Sequence, residues 1–144
     1  MKEMKLEYNI EGGDFINAGQ AAGDVKKVLN QLNLNPAVVR KTAVALYEAE
    51  VNVVAHAYRG VMKVNINPQR ILVRIEDEGP GIPDIKKAMQ EGYSTASARV
   101  REMGFGAGMG LSNINKNADQ LNIKSEIDKG TVVEIIIYSA LNKT

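Results

Sequence analysis

Apolar and polar positions alternate from Lys5 to Ile10, with Leu6, Tyr8 and Ile10 on one side, and this two-residue period predicts a strand. From Asp14 to about Leu32 the apolar positions take helical spacing, weakened by Gly19 and Gly23. Asn35 followed by Pro36 has the chemistry of a helix start: an acceptor at the cap, then proline where no amide is needed. The long helix begun there is expected to run to about Tyr58, with Gly60 as its stop. Two strands follow, Val61 to Asn67 and Arg70 to Asp77, with Asn67-Pro68-Gln69 as a hairpin turn. A short helix is expected from Asp84 to about Gln90, after which residues 92–110 carry no sustained period. A helix from Leu111 to about Gln120 leads into two last strands, Leu121 to Ile127 and Thr131 to Tyr138, with the turn Asp128-Lys129-Gly130 between them. This order predicts one α+β domain over residues 1–144, a two-layer sandwich with helices on one face of a mixed, mostly antiparallel sheet.

Composition narrows what such a domain can do. Its 144 residues suffice for one well-filled core. Lys and Arg number 18 against 17 Asp and Glu, so the chain lacks the basic excess of a nucleic-acid binder, and no nucleic-acid partner is expected. Tryptophan is absent and aromatics make up 5%, which leaves little for base-stacking platforms. The absence of cysteine removes disulfides, thiolate zinc sites and thiol nucleophiles together. With one histidine, a transition-metal cage made only of protein ligands is a poor prospect. The N-terminal MKEMKLEYNI lacks the apolar core of a signal peptide, and no run approaches membrane-spanning length. A soluble cytoplasmic protein with no membrane partner is the expectation.

Three stretches could carry chemistry. In ALYEAEVNVVAHAY, Glu48, Asn52 and His56 recur at i, i+4 and form one polar stripe, opposite Leu46, Ala49, Val53, Val54 and Ala57. The Asn52 amide oxygen can bind a hard cation, and the Glu48 carboxylate can accept a proton. For Glu and Asn alone, an ordinary solvated face is the commoner explanation. His56 is expected to be a satisfied, partly buried imidazole, and Glu50 to face solvent or form a local ion pair. The second stretch is EDEGPGIPD, residues 76–84, at the end of an apolar strand. Gly79 and Gly81 let backbone approach a planar ligand, Pro80 and Pro83 hold the loop's shape, and Asp77 can accept from the amino edge of a purine. Glu76 and Glu78 are expected to face solvent. A simple Pro-Gly turn competes with this, although the segment leads into a helix instead of a returning strand. The third is GFGAGMG, residues 104–110, whose alternating glycines run into a helix start and so offer a phosphate cradle, against a plain flexible loop. It fits neither the dinucleotide fingerprint nor the P-loop, since it has neither G-x-G-x-x-G spacing nor Gly-Lys-Ser/Thr.

Glu-x-x-x-Asn on a helix, Asp-x-Gly-x-Gly after a strand and a glycine-rich run into a helix resemble, in this order, the ATPase/kinase superfamily of gyrase, histidine kinases and mismatch-repair ATPases. The likeness extends over nearly the whole chain. Within it, EDEGPGIPDIKKAMQEGYST resembles the stressosome switch kinase, and EAEVNVVAHAY the anti-sigma-factor kinases. Both belong to the small bacterial serine/threonine kinases of partner-switching pathways. The resemblance implies ATP and Mg²⁺ as cofactors. It implies Glu48 as general base for a protein hydroxyl and Asn52 as ligand of the Mg²⁺ that bridges the phosphates. It also implies Asp77 as acceptor from the adenine amino group, with Gly79 and Gly81 shaping the pocket and Ile82 among the nucleotide contacts. Residues 92–110 would form a lid, with Ser94, Thr95, Gly104, Phe105, Gly106, Ala107, Gly108, Met109 and Gly110 near the phosphates. Thr131 matches the family's threonine near the adenine. One departure is the lid segment ASARVREM, longer than in the switch kinase.

A histidine kinase needs a phosphoacceptor histidine on a separate dimerisation helix, and gyrase-type and mismatch-repair ATPases carry a transducer domain; neither is expected here. Two functions remain from different classes. One is an ATP-Mg-dependent serine/threonine protein kinase acting on a STAS-fold anti-sigma-factor antagonist. The other is a nucleotide-gated binding module that captures a sigma factor or a phosphatase. The related kinases are often dimers, so a homodimer is among the expected states.

Overall fold

The computed structural model describes residues 3–90 and 110–139. Five strands, β1 (Met4–Glu11), β2 (Arg59–Ile66), β3 (Arg70–Glu78), β4 (Gln120–Glu126) and β5 (Gly130–Tyr138), form one sheet in the order β1-β2-β3-β5-β4. All four pairings are antiparallel, which narrows the mixed, mostly antiparallel expectation. Among the described residues the helices are α1 (Gln20–Gln31), α2 (Pro36–His56), the four-residue α3 (Ile85–Ala88) and, after the glycine-rich run, α4 (Gly110–Asn117).

Alternation decides the layers. Met62, Val64 and Ile66 of β2, Ile71, Val73 and Ile75 of β3, and Ile135 and Ile137 of β5 are buried on one face. Against them pack Val25 and Leu29 of α1, Ala45, Leu46, Ala49 and Val53 of α2, and Leu111 and Ile114 of α4. The opposite sheet face carries a polar ladder, with Arg74 bonded to Glu76 at 2.7 Å and to Glu134, its partner on β5, at 2.9 Å.

Several boundaries have local causes. The Asn35 side chain accepts from the Ala37 amide at 2.8 Å, so α2 starts where the cap was read. The hairpin between β2 and β3 is fixed by Asn67, whose Oδ1 accepts from the amides of Gln69 and Arg70, both at 2.9 Å. Asp84 caps α3 through a 3.1 Å bond from the Lys87 amide.

Others depart from expectation. Residues 14–19 are irregular, ending in bends and a turn, and α1 starts only at Gln20. Gly60 does not stop α2; it lies inside β2, where a Cβ would stand 3.0 Å from Val53 and 3.1 Å from the Glu76 carbonyl. The helix ends instead at His56, where the loop after β1 takes over its free carbonyls: the Gly13 amide bonds Val54 at 2.8 Å.

Glu50 is a correction of substance. It does not face solvent but is 3% exposed, pointing from α2 into the start of α1. The cap residue of α1 is Gly19, which has no side chain to offer. Glu50 supplies the missing acceptors, taking the amides of Gly19 at 2.9 Å, Ala21 at 3.3 Å and Ala22 at 2.9 Å. A carboxylate there also complements the positive end of the helix dipole.

Candidate nucleotide site

The polar stripe of α2 is not a solvated face. Glu48, Asn52 and His56 are each half-buried, and α4 packs over the first two. Gly110 opens α4 directly over Asn52: a Cβ at position 110 would lie 2.8 Å from the Asn52 Oδ1 and 3.1 Å from its Nδ2. One turn further along α4, the Asn113 Nδ2 donates to the Glu48 Oε2 at 2.7 Å. The two helices thus run antiparallel and meet at two rungs, Asn52 with Gly110 and Glu48 with Asn113. At the end of the stripe, burial lowers the pKa of His56 below its ordinary value, so the imidazole is neutral at pH 7. The expectation of a partly buried imidazole holds.

Asp77 stands at the other side of the C-terminal end of α2. Its Oδ1 accepts from the Thr131 amide at 3.0 Å, and its carboxyl is pushed up in pKa by burial, partly offset by that bond. Around it the backbone is tightly knotted. The Gly79 amide donates to the Lys129 carbonyl at 3.0 Å, and the Asp128 amide to the Pro80 carbonyl at 2.9 Å, so the loop after β3 is laced to the turn between β4 and β5. Ser125 ties the knot: its hydroxyl accepts from the Ile82 amide at 2.7 Å, shares a hydrogen bond with the Thr131 hydroxyl at 2.8 Å and donates to the Gly130 carbonyl at 3.2 Å.

The room made by the glycines of EDEGPGIPD is used by the chain itself. A Cβ on Gly79 would meet Ala57 of the α2 cap at 3.0 Å, and one on Gly81 would meet the Glu126 carbonyl at 2.5 Å. Gly81 also has φ +80°, which favours glycine. These residues shape the wall by letting three segments close on one another around Asp77. Glu76 and Glu78 face solvent as expected, paired with Arg74 at 2.7 Å and Arg59 at 3.3 Å.

The residues suit a nucleotide. The second oxygen of Asp77 has no hydrogen-bond partner among the described residues, and it can accept from an amino group on a planar base. The side-chain amide of Asn52 likewise makes no hydrogen bond among the described residues. Among those residues no group of three or more His, Asp or Glu could hold a metal ion, and the Asn52 amide oxygen could contribute one ligand to a hard cation. A groove between β1 and α1, lined by Glu7, Glu11, Asp24 and Glu50, contains none of the expected site residues, and its acids oppose phosphate binding.

Glu48, Asn52 and Gly110 are therefore together on one seam, and Asp77, Gly79, Gly81, Ile82 and Thr131 on one wall. Ser94, Thr95, Gly104, Phe105, Gly106, Ala107, Gly108 and Met109 lie outside the described residues. Asn113 and Ser125 belong to the site by contact and went unread. Each is a small polar residue in an unremarkable local pattern, and its partners are distant in sequence.

Residues 16–137 match the model of the histidine kinase-like ATPase domain. The chain belongs to the histidine kinase-like ATPase domain family. An ATP site follows from that membership, and the wall and seam are where this domain would build it. Among curated relatives, the anti-sigma F factor of Thermoanaerobacter sp. (strain X514) is 35% identical over 108 residues, 72% of this chain and 71% of the relative. The serine/threonine-protein kinase RsbT of Bacillus subtilis (strain 168) is 28% identical over 127 residues, 85% of this chain and 87% of RsbT. The resemblance to partner-switching kinases, anti-sigma and switch type alike, thus holds for this histidine kinase-like ATPase domain. Its fold matches the crystal structure of the RsbU and RsbW domains of Rv1364c from Mycobacterium tuberculosis with a TM-score of 0.57 at 14% identity, covering 91% of this chain and 32% of that longer one.

Proposed function

We propose that this domain is an ATP-Mg-dependent serine/threonine protein kinase of a partner-switching pathway, and that it phosphorylates a STAS-fold antagonist protein. One observation carries the reading: Glu48 and Asn52 face the same seam one helical turn apart, half-buried beneath the helix that follows the glycine-rich run. Bound ATP-Mg supplies the γ-phosphoryl group and an electrophilic phosphorus. Phosphoryl transfer asks the protein for position and charge more than covalent chemistry, so one base and one metal ligand can suffice. Asn52 would hold Mg²⁺ through its amide oxygen, Asp77 would accept from the adenine amino group, and Thr131 would fix the Asp77 carboxylate from behind. Glu48 would take the proton of the attacking hydroxyl. We place the protein in the cytoplasm, where ATP is plentiful; no described helix is long and apolar enough to cross a membrane.

The test uses γ-labelled ATP, Mg²⁺ and STAS-fold proteins encoded beside the gene. Glu48→Ala should lower transfer to serine or threonine by at least about a hundredfold, with ATP-Mg affinity kept within about threefold. Transfer at the wild-type rate would remove Glu48 as the base.

A second reading has its own support, since several relatives are named anti-sigma F factor. In it, the nucleotide state governs capture of a sigma factor or a phosphatase, and Glu48 is dispensable. ATP-dependent pull-down of such a partner that survives Glu48→Ala would favour it.

A further inference from the structure

The Glu48 carboxylate sits on a flexible side chain, and a base must be aimed before it can act. The only protein group bonded to it among the described residues is Asn113, 65 positions later in the chain, at 2.7 Å. The contact runs from the Asn113 amide N–H to the Glu48 carboxylate oxygen, and so fixes the orientation of that amide. The bond is charge-assisted and half-buried, which makes it a strong orienting contact. It occupies Oε2 and leaves Oε1 without a hydrogen bond among the described residues. Asn113 is itself well placed. It lies between Ser112 and Ile114, both buried, and its backbone carbonyl accepts from the Asn117 side chain at 2.8 Å. Close approach of α4 at Gly110 sets the separation of the helices.

We infer that Asn113 is a positioning residue for the phosphoryl transfer: its amide holds one oxygen of Glu48 and thereby aims the other at the substrate hydroxyl. This rests on the proposed reading of Glu48 as base. In the step, the hydroxyl oxygen forms a bond to the γ-phosphorus with its own lone pair while its proton passes to Oε1 of Glu48. The phosphorus–oxygen bond to the β-phosphate breaks, and its electron pair leaves on ADP. Asn113 takes no proton and touches no substrate atom.

Two experiments on the full chain test this. In the transfer assay, Asn113→Leu should lower kcat by roughly ten- to hundredfold, the scale of a misaimed reacting group. The KM for the protein substrate, the ATP-Mg affinity and the melting temperature should stay near wild type. Asn113→Gln, which retains an amide donor, should run faster than Asn113→Leu. A wild-type rate for Asn113→Leu, or no advantage for Asn113→Gln, overturns the inference. The second experiment needs no activity and no variant of Asn113. The side-chain amide signal of Asn113 in an ¹⁵N-¹H spectrum should shift when Glu48→Ala removes its acceptor, and an unmoved signal overturns the contact. Loss of transfer in Glu48→Ala with full activity in Asn113→Leu defeats only this inference. Full activity in Glu48→Ala defeats the reading beneath it.

Discussion

Around Asp77 most contacts are main chain, whereas along the seam of α2 and α4 they are side chain. The wall is made mainly of amides and carbonyls from the loop after β3 and the β4–β5 turn, joined by the Ser125 and Thr131 hydroxyls and the Asp77 carboxylate. The seam rests on two helices held at a distance set by Gly110 and by the Asn113–Glu48 bond. A base has a fixed planar shape, and a rigid wall of backbone suits it. A general base and an amide metal ligand are single side chains that must stand in single places. The wall should therefore fail as part of the fold, and the seam as chemistry.

The largest effect should come from Gly130→Ala. A Cβ there would stand 1.9 Å from the Asp77 carbonyl oxygen, backbone against backbone, with nothing flexible to yield. Overpacking of this kind should cost about 3 kcal/mol and lower the melting temperature by roughly 10 °C. A melting curve within a degree or two of wild type would mean that the wall is softer than its contacts imply.

Asp77→Asn separates the wall's shape from its proposed reading of the base. The Asn carbonyl can keep the Thr131 amide bond, but its NH₂ then faces the ligand and meets the adenine amino group donor to donor. ATP affinity should fall roughly ten- to hundredfold, the worth of a hydrogen bond to a charged group. Stability should move the other way. A carboxyl whose folded pKa is raised by burial makes the native state costlier once pH exceeds the unfolded value of about 3.9. At pH 7 the substitution removes that cost, so the melting temperature without nucleotide should hold or rise. Calorimetric titration and thermal melting on the same sample decide both.

Gly110→Ala should have the smallest effect. The three atoms nearest its Cβ would all belong to the Asn52 side chain, from 2.8 Å, and that side chain can rotate away. Alanine also favours the helix by up to about 1 kcal/mol, so stability should change little. Rotation of Asn52 should weaken Mg²⁺-dependent ATP binding about fivefold, the effect of roughly 1 kcal/mol. Equal loss with and without Mg²⁺ would separate Asn52 from the metal.

What could be foreseen follows the same division. Local signals were legible: the Asn35-Pro36 cap, the alternation that buries Ile71, Val73 and Ile75, and the glycines that precede α4. The grouping of Asp77 with Thr131 came through family resemblance, since 54 positions separate the bonded pair. Glu50, Asn113 and Ser125 escaped because their meaning lies in partners that a local window does not contain. Gly60 misled for a related reason: glycine commonly ends helices, yet here it serves a crowded strand crossing against Val53.

Glu50 also fixes how α2 is turned about its own axis. It lies midway between Glu48 and Asn52 but points the opposite way, into three amides at the start of α1. It works as an indexing pin. If α2 were to roll about its axis or slide by a residue, buried N–H groups would lose their acceptor, at about 1–3 kcal/mol each. The angular setting of the helix that presents the candidate base is thus locked from behind, by a carboxylate turned toward α1 and away from the seam.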